Sequence, residues 1–184
     1  MGGVHNFQGS LPMKSALLVI DAQVNMFETG MSVRNGHQLL DTISRVTTQA
    51  RDVQIPVIYV QHNGKPGDPD ETDSPGWHIH ERVSPREGDI VVQKRTPDAF
   101  YETQLASILN EKEIGRLIIT GVQTENCISS TCHHARIAGY SITLVKDGHS
   151  TFDSDVLTAE QIIAHYNDIL GDFADVTPAG QVRF

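Results

Sequence analysis

Three residues of the sequence carry chemistry of different kinds: the carboxyl group of Asp21, the amine of Lys94 and the thiol of Cys127. Each follows an apolar run that is typical of a buried strand. Because ligand sites in α/β sheets lie beyond the carboxyl ends of the strands, we predict that the three side chains converge. There the sulfur could attack a carbonyl carbon while Asp21 takes its proton and Lys94 favours the thiolate. A structural ion pair between Asp21 and Lys94 is the alternative, and the coincidence of three such groups favours catalysis.

The segment around Cys127 predicts where its sulfur lies. A β-branched run, 118–122, is interrupted by Gly121, and an amphipathic helix pattern follows. Thr124 and Asn126 are residue types that cap helix N-termini. A thiol in the first helical turn lies near unpaired N–H groups, which favour the thiolate and can stabilise an oxyanion. The alternative is that Cys127 only fills space at the start of the helix.

The elements that must position these residues alternate between strand and helix patterns. The alternation predicts an α/β fold, a three-layer α/β/α Rossmann-like domain with a mainly parallel six-stranded sheet. The predicted strands cover residues 15–21, 56–60, 89–94, 116–122, 141–145 and 174–176. The predicted helices cover residues 35–54, 101–113 and 157–170, together with the helix that follows Cys127.

Length and composition restrict the kinds of protein to consider. The 184 residues fit one domain, predicted as 13–184, preceded by a flexible N-terminal arm, 1–12. The net charge of −9 and the lack of a basic stripe argue against nucleic acid and membranes as partners. Two cysteines close together, Cys127 and Cys132, cannot form a disulfide framework, and Cys132 is predicted to be a buried filler. These features predict a cytoplasmic protein that acts on a small molecule.

One long segment, Asn63–Gly88, has no periodic pattern and is rich in Gly, Pro, Asp and His. Structureless segments of this length in a compact domain are usually functional, and this one could close its own site or that of a neighbouring subunit. It contains the only tryptophan, Trp77, which could contact a ligand or a partner subunit, or simply pack the loop. Phe27 and Phe100, just past Asp21 and Lys94, could form apolar walls of a substrate pocket or belong to the core.

Three motifs relate the sequence to a known family: Leu18–Gln23, Val92–Arg95 and Gly121–Cys127. With these motifs the chain resembles the isochorismatase-like cysteine hydrolases from Ala16 to about Val176. The resemblance implies a triad made of Cys127, Asp21 and Lys94. It also implies a cis peptide bond between Val122 and Gln123, which turns the N–H of Gln123 toward the oxyanion together with that of Cys127.

The thiol also indicates a reaction within this family. Members that resemble isochorismatase itself cleave a vinyl ether and can lack the cysteine, whereas members with it mostly hydrolyse amides. The resemblance therefore implies hydrolysis of a C–N amide or lactam bond through a thioester on Cys127, without a cofactor. The segment Pro75–His80 resembles the subgroup near streptothricin hydrolase and related amidases. Family members are usually oligomers, which implies a homodimer or homotetramer.

A metal ion is not predicted. Nicotinamidase-like members of the family hold one with an Asp-x-His after the second strand, where this sequence reads Gln61-His62-Asn63. His62, His78 and His80 lie nearby, but three histidines at irregular spacing without a carboxylate are more typical of a solvated loop. Next to the site, His62 is instead a candidate substrate-binding residue.

Two other functions stay open at this point. In a vinyl-ether hydrolase Asp21 would protonate the substrate and Cys127 would be a bystander, so that pyruvate rather than an amine is released. A protein that binds ligands with the same fold but without turnover would show no thiol reactivity at Cys127. The presence of Asp21, Lys94 and Cys127 argues against the binding protein, because reactive groups buried at a strand end cost stability and would have no catalytic use there.

Overall fold

The predicted strands form one sheet in which every neighbouring pair is parallel. The computed structural model describes residues 13–27 and 32–184. The predicted N-terminal arm, 1–12, lies outside the described residues. The strands are β1 Lys14–Ile20, β2 Val57–His62, β3 Ile90–Lys94, β4 Ile114–Val122, β5 Ser141–Ser150 and β6 Asp175–Thr177. The α-helices of the described residues are α1 Gly36–Asp52, α2 Leu105–Glu111, α3 Ser129–Ile137 and α4 Ala159–Gly171.

The order of the strands predicts a ligand crevice at the carboxyl ends of the central strands. The order is β3-β2-β1-β4-β5-β6, so the chain moves outward from β1 in one direction and then restarts on its other side with β4. The carboxyl ends of β1 and β4 flank this reversal, which is where open α/β sheets bind ligands. The predicted α/β class with a six-stranded sheet is confirmed.

Two hydrophobic cores cover the two faces of the sheet, as the three-layer prediction requires. Alternate residues of β1 point to opposite faces: Leu17 and Val19 to one core, Leu18 and Ile20 to the other. One core is completed by the apolar stripe of α1, which consists of Leu39, Leu40, Ile43, Val46 and Ala50. The other is completed by residues of α2, α3 and α4, including Leu105, Leu109, Cys132, Ala135 and Leu170. The prediction of Cys132 as a buried filler is confirmed, because it is fully buried there.

Two element boundaries, the start of α2 and the end of β5, differ from the prediction by more than two residues. Helix α2 begins at Leu105 rather than at Tyr101, because the Thr103 hydroxyl accepts from the N–H of Leu105 and donates to the carbonyl of Ala99. Strand β5 continues to Ser150, well past the predicted end at Val145. Its second half follows a register shift that the sequence pattern does not reveal.

The segment Asn63–Gly88 is ordered by contacts with the strand ends. It contains a short 3₁₀ turn, Glu81–Val83, and two isolated bridges, Gln23 with Ile79 and Gly64 with Glu71. Because it lies against the carboxyl ends of the strands, it forms part of the surroundings of the site.

Candidate active site

Asp21, Lys94 and Cys127 lie together at the carboxyl ends of the strands. The Nζ atom of Lys94 is 2.8 Å from Oδ2 of Asp21 and 3.3 Å from Sγ of Cys127. Its third contact is the carbonyl oxygen of Thr96, at 3.0 Å. The three N–H bonds of the ammonium are thus all used, which holds its side chain in one orientation. Asp21 and Lys94 are almost fully buried, and Cys127 is partly exposed.

The two carboxyl oxygens of Asp21 differ in their contacts: one is paired with Lys94, and the other has no hydrogen-bond partner among the described residues. Asp21 follows the last residue of β1 with a φ of +49°, so the chain turns as the strand ends. Oδ2 contacts Lys94, whereas Oδ1 is buried and accepts no hydrogen bond from the described residues. Buried polar atoms are rarely left unpaired without a functional reason. Oδ1 is therefore an acceptor available for a proton from the thiol or from a bound molecule.

Gly121 allows β4 to end directly against β1. Its φ is +127°, and a Cβ atom there would overlap the carbonyl oxygen of Ile20, so only glycine fits. One residue further on, the peptide bond between Val122 and Gln123 is cis. The close approach of the two strand ends brings the segment that carries Cys127 beside Asp21.

Cys127 lies in a π-helical turn, Thr124–Ile128, that precedes α3. The N–H of Ile128 donates to the carbonyl of Gln123 five residues earlier, as in a π-helix. The predicted capping by Thr124 and Asn126 is wrong, because Gln123 occupies the N-cap without a side-chain cap. The Asn126 amide instead donates to the side chain of Gln123, and the Thr124 hydroxyl contacts His149. Turns of this kind are frequent at functional sites.

The electrostatics of the triad place the proton on sulfur in the resting site. Burial raises the pKa of the Cys127 thiol to about 12, Asp21 adds to this, and Lys94 opposes it. Burial disfavours the Lys94 ammonium, but the charges of Asp21 and Cys127 outweigh that effect and raise the pKa of Lys94. The predicted bias toward the thiolate, from the helix start and from Lys94, is outweighed in this geometry by burial and by Asp21. The site holds a thiol beside a carboxylate that can take its proton.

The predicted substrate-binding residues divide between the site and the core. His62 ends β2, and its Cα pairs with that of Lys94 in the sheet, so both side chains lie on the same face. Phe100 packs in the core on that face, against which Cys127 also packs, and stacks on the ring of His134. Phe27 is buried in the core on the opposite face, so the structure does not bring it to the triad.

Trp77 is held by the strand ends through its main chain and its ring. Its carbonyl oxygen accepts from the side-chain amides of Gln23 and Gln61, each at 2.9 Å. Its indole N–H donates to Oδ1 of Asn63 at 2.6 Å. These three hydrogen bonds hold the loop around Trp77 against the carboxyl ends of the strands.

The loop histidines do not form a metal site. His62 pairs through Nδ1 with Oδ2 of Asp70 at 2.6 Å, His78 packs edge-on against Trp77, and His80 accepts from the N–H of Arg82. Among the described residues no three His, Cys, Asp or Glu side chains are grouped so that they could hold a metal ion. The donor set here does not fit a metal ion.

Several residues that shape the site were not predicted. Gln23 is fully buried and bonds to both the N–H and the carbonyl of His62, which joins β1 to β2. Thr96 supplies the carbonyl for Lys94, and Asp70 orients His62. Gln23 belongs to one of the family motifs, which is a signal that could have identified it, whereas Thr96 and Asp70 have no such signal.

The similarity to known proteins covers nearly the whole chain. Residues 15–176 match the Isochorismatase domain family. The chain belongs to the isochorismatase family. This confirms the resemblance predicted from the three motifs, and it makes the chain a hydrolase of that family.

Its relatives include both enzymes of known name and solved structures. Two streptothricin hydrolases of Streptomyces noursei are 29% and 30% identical over 89% of the chain, which spans 68% and 62% of their lengths. The ureidoacrylate amidohydrolase RutB of Yersinia enterocolitica is 28% identical over 72% of the chain and 74% of its own length. The crystal structure of an isochorismatase from Pseudomonas putida KT2440 superimposes with a TM-score of 0.87 at 30% identity, covering 94% of this chain and 93% of that one.

No helix in the described part of the isochorismatase-family chain is long and apolar enough to cross a membrane.

Proposed function

We propose that the protein hydrolyses a C–N amide or lactam bond of a small molecule through a thioester on Cys127. The observation that carries the proposal is the contact of Sγ with Lys94, whose ammonium also binds the buried carboxylate of Asp21. A nucleophile, a proton acceptor and a fixed positive charge are the groups that acyl transfer requires. The name of the relative RutB, an amidohydrolase, supports the same bond type.

Acylation begins from the protonated thiol. Sγ of Cys127 attacks the substrate carbonyl carbon while its proton moves to Asp21, so that the thiolate forms only as the S–C bond forms. The N–H groups of Gln123 and Cys127 donate to the oxyanion of the tetrahedral intermediate. The C–N bond then breaks, Asp21 gives its proton to the departing nitrogen, and a thioester remains on Cys127.

Deacylation returns the site to its resting state. Asp21 takes a proton from water as the water oxygen attacks the thioester carbon. The C–S bond breaks, the carboxylic acid leaves, and the sulfur takes the proton back from Asp21. During both steps Lys94 remains an ammonium and stabilises negative charge on the sulfur.

We expect His62, Trp77 and Phe100 to line the crevice that would receive the substrate. The imidazole and the indole supply polar edges, and the phenyl ring supplies an apolar surface. We expect a small molecule with a planar carbonyl group to bind between them. Assembly into a homodimer or homotetramer and a cytoplasmic location stay predictions.

The test is to trap the acyl-enzyme with p-nitrophenyl acetate and to measure intact mass. One acetyl group is expected on Cys127, absent in Cys127→Ala and retained in the control Cys132→Ala, which removes the fully buried thiol. A screen of amides and lactams for amine release would then define the substrate. Pyruvate release by Cys127→Ala from vinyl ethers would instead support the isochorismatase reaction. Absence of both acetylation and turnover would support a binding protein.

A further inference from the structure

A buried histidine on β5 contacts the turn that carries Cys127. Nδ1 of His149 is 2.9 Å from the hydroxyl oxygen of Thr124, the first residue of the π-helical turn. Its Nε2 is 3.0 Å from Oδ1 of Asn167 on α4. His149 is 4% exposed and Thr124 is fully buried, so water does not compete for these contacts. The three side chains connect α4, β5 and the Cys127 turn.

An irregularity in the sheet places His149 at this point. Ile119 of β4 pairs with Leu144 of β5, but Gly121 pairs with His149, so residues 145–148 bulge out opposite one β4 residue, Thr120. The Thr120 hydroxyl donates to the carbonyl of Gly148 and closes the bulge. A side chain at Gly148 would collide with Val145 and Thr120. Bulges of this kind re-aim a side chain next to active sites.

The partners of His149 determine the direction of its hydrogen bonds. The Asn167 amide nitrogen faces the carbonyl of Lys146, so its Oδ1 faces Nε2 of His149 as an acceptor. Nε2 therefore carries the proton, and Nδ1 accepts from the Thr124 hydroxyl. A neutral histidine satisfies both contacts, and burial, which lowers the pKa of His149, maintains that form.

We propose that His149 is a positioning residue for the nucleophile: through Thr124 it fixes the π-helical turn so that Cys127 meets Lys94 and Asp21. The inference rests on the proposed role of Cys127 as the nucleophile. A second contact near the same end of β5 also helps to fix this turn: the Thr151 hydroxyl donates to Oε1 of Glu125.

Position matters here because two contacts of the sulfur must form at once. Sγ reaches the Lys94 ammonium at 3.3 Å and must also pass its proton to Asp21 as it attacks. The π-helical turn is a single turn whose hydrogen-bond pattern does not continue into α3, so side-chain contacts from neighbouring elements help to fix its shape. A misplacement of about 1 Å between reacting groups costs about 100-fold in rate.

The experiment compares two reactions of Cys127 in matched variants. Acetylation by p-nitrophenyl acetate needs the whole site. Alkylation by iodoacetamide depends on the exposure of the sulfur and on its thiolate fraction, but needs neither the proton acceptor nor the oxyanion donors. Thr124→Val, which removes the hydroxyl, should lower the acetylation rate about tenfold or more and lower the ratio of acetylation to alkylation. Thr124→Ser keeps the hydroxyl and should stay within about twofold of wild type. His149→Leu should match Thr124→Val, and the double variant should fall no further.

A control separates positioning from loss of stability. Thr143→Val removes the hydroxyl of a buried threonine on β5, which accepts from Arg116 near the start of that strand. It should destabilise the protein without changing the ratio of the two reactions. If His149→Leu does not fold, the two Thr124 variants decide the question alone.

The outcomes distinguish this inference from the proposed function. Wild-type acetylation of Cys127 with an unchanged rate in Thr124→Val would overturn only the positioning role of His149. An equal fall in Thr124→Ser and Thr124→Val would also overturn it, because the hydroxyl would then not matter. A wild-type protein that is not acetylated on Cys127 would overturn the proposed function and this inference with it.

Discussion

Lys94 contacts Cys127 at 3.3 Å although the strands that lead to them, β3 and β4, are not neighbours in the sheet. Strands β2 and β1 lie between them, so the lysine side chain and the turn that carries Cys127 reach toward each other across the ends of these strands. Asp21 stands at the end of β1, along that path, and binds the same ammonium at 2.8 Å. One buried positive charge thus serves a carboxylate and a sulfur, which is why the two can share a proton.

Substitution of Asp21 should separate thiol reactivity from catalysis. Asp21 raises the pKa of Cys127 through its negative charge, so Asp21→Asn should lower that pKa and speed alkylation by iodoacetamide at pH 7.5. Each unit by which the pKa falls gives about tenfold more thiolate. Acetylation and turnover should be lost, because no group remains to carry the proton. Intact-mass kinetics measure both reactions.

Lys94→Met should change the alkylation rate of Cys127 in the direction opposite to Asp21→Asn. Lys94 lowers the Cys127 pKa, so its removal should slow alkylation below the wild-type rate. If Asp21→Asn and Lys94→Met changed the alkylation rate in the same direction, the electrostatic account of the triad would be wrong. Cys127→Ala gives the background from Cys132 in both cases.

The buried ion pair between Asp21 and Lys94 should also contribute to the free energy of unfolding. Lys94→Met leaves a buried carboxylate without a partner and should cost about 3–5 kcal/mol in the free energy of unfolding. The double variant Asp21→Asn/Lys94→Met removes both charges and should recover most of that loss. Urea unfolding at pH 7.5 measures the cycle, with Lys146→Met at an exposed lysine of β5 as the control. Additive losses in the double variant would contradict the pairing.

The positions of the triad could be predicted from the sequence because each residue follows an apolar run whose ends are marked by composition. Asp21 and Lys94 come directly at the ends of β1 and β3, and the alternation of elements brings those ends together. Phe27 shows the limit of that reasoning. Proximity in sequence to Asp21 suggested the site, but the short turn after β1 directs its ring to the core on the opposite face.

The local geometry of the nucleophile could not be predicted in the same way. A single π-helical turn leaves no mark of its own in the apolar spacing of the helix that follows, so Thr124 and Asn126 suggested capping. In the structure the Thr124 hydroxyl contacts His149 and the Asn126 amide donates to Gln123. The protonation of Cys127 depends on burial by several elements together, which no local pattern contains. The register shift in β5 likewise depends on a contact between Thr120 and Gly148, far apart in the chain.

His149 should make the stability of the protein depend on pH below neutrality. Burial lowers the pKa of His149, against smaller opposing contributions from Asn167 and Asp147. Below pH ~6.5 the unfolded histidine binds a proton that the folded one does not, so its contribution is present above that pH and lost as the pH falls. The slope is at most about 1.4 kcal/mol per pH unit. His149→Gln should flatten the curve of unfolding free energy between pH 5 and about 6.5.

A control identifies the histidine responsible for that slope. His165→Gln removes an exposed histidine of α4 and should leave the curve parallel to that of wild type. Urea titrations at closely spaced pH values give the comparison. A wild-type slope that survives in His149→Gln would show that other groups produce it.

Gly121→Ala tests whether the contact between strand ends supports both fold and site. Alanine disfavours the φ of +127°, and its Cβ would overlap the Ile20 carbonyl, which belongs to the backbone and cannot move aside cheaply. We expect a loss of about 2–4 kcal/mol in the free energy of unfolding. The matched control is Gly180→Ala, at an exposed glycine with open space around its Cβ position, which should be nearly neutral.

Gly121→Ala should slow the acetylation of Cys127 even in the fraction of the protein that is folded. A shift of β4 away from Ile20 moves the Cys127 turn away from Asp21, so acetylation of the folded fraction should slow while alkylation continues. Acetylation is therefore measured in conditions where circular dichroism shows that Gly121→Ala is folded. Wild-type acetylation in such a sample would mean that the approach of β4 to β1 stabilises the sheet without aligning the thiol with its proton acceptor.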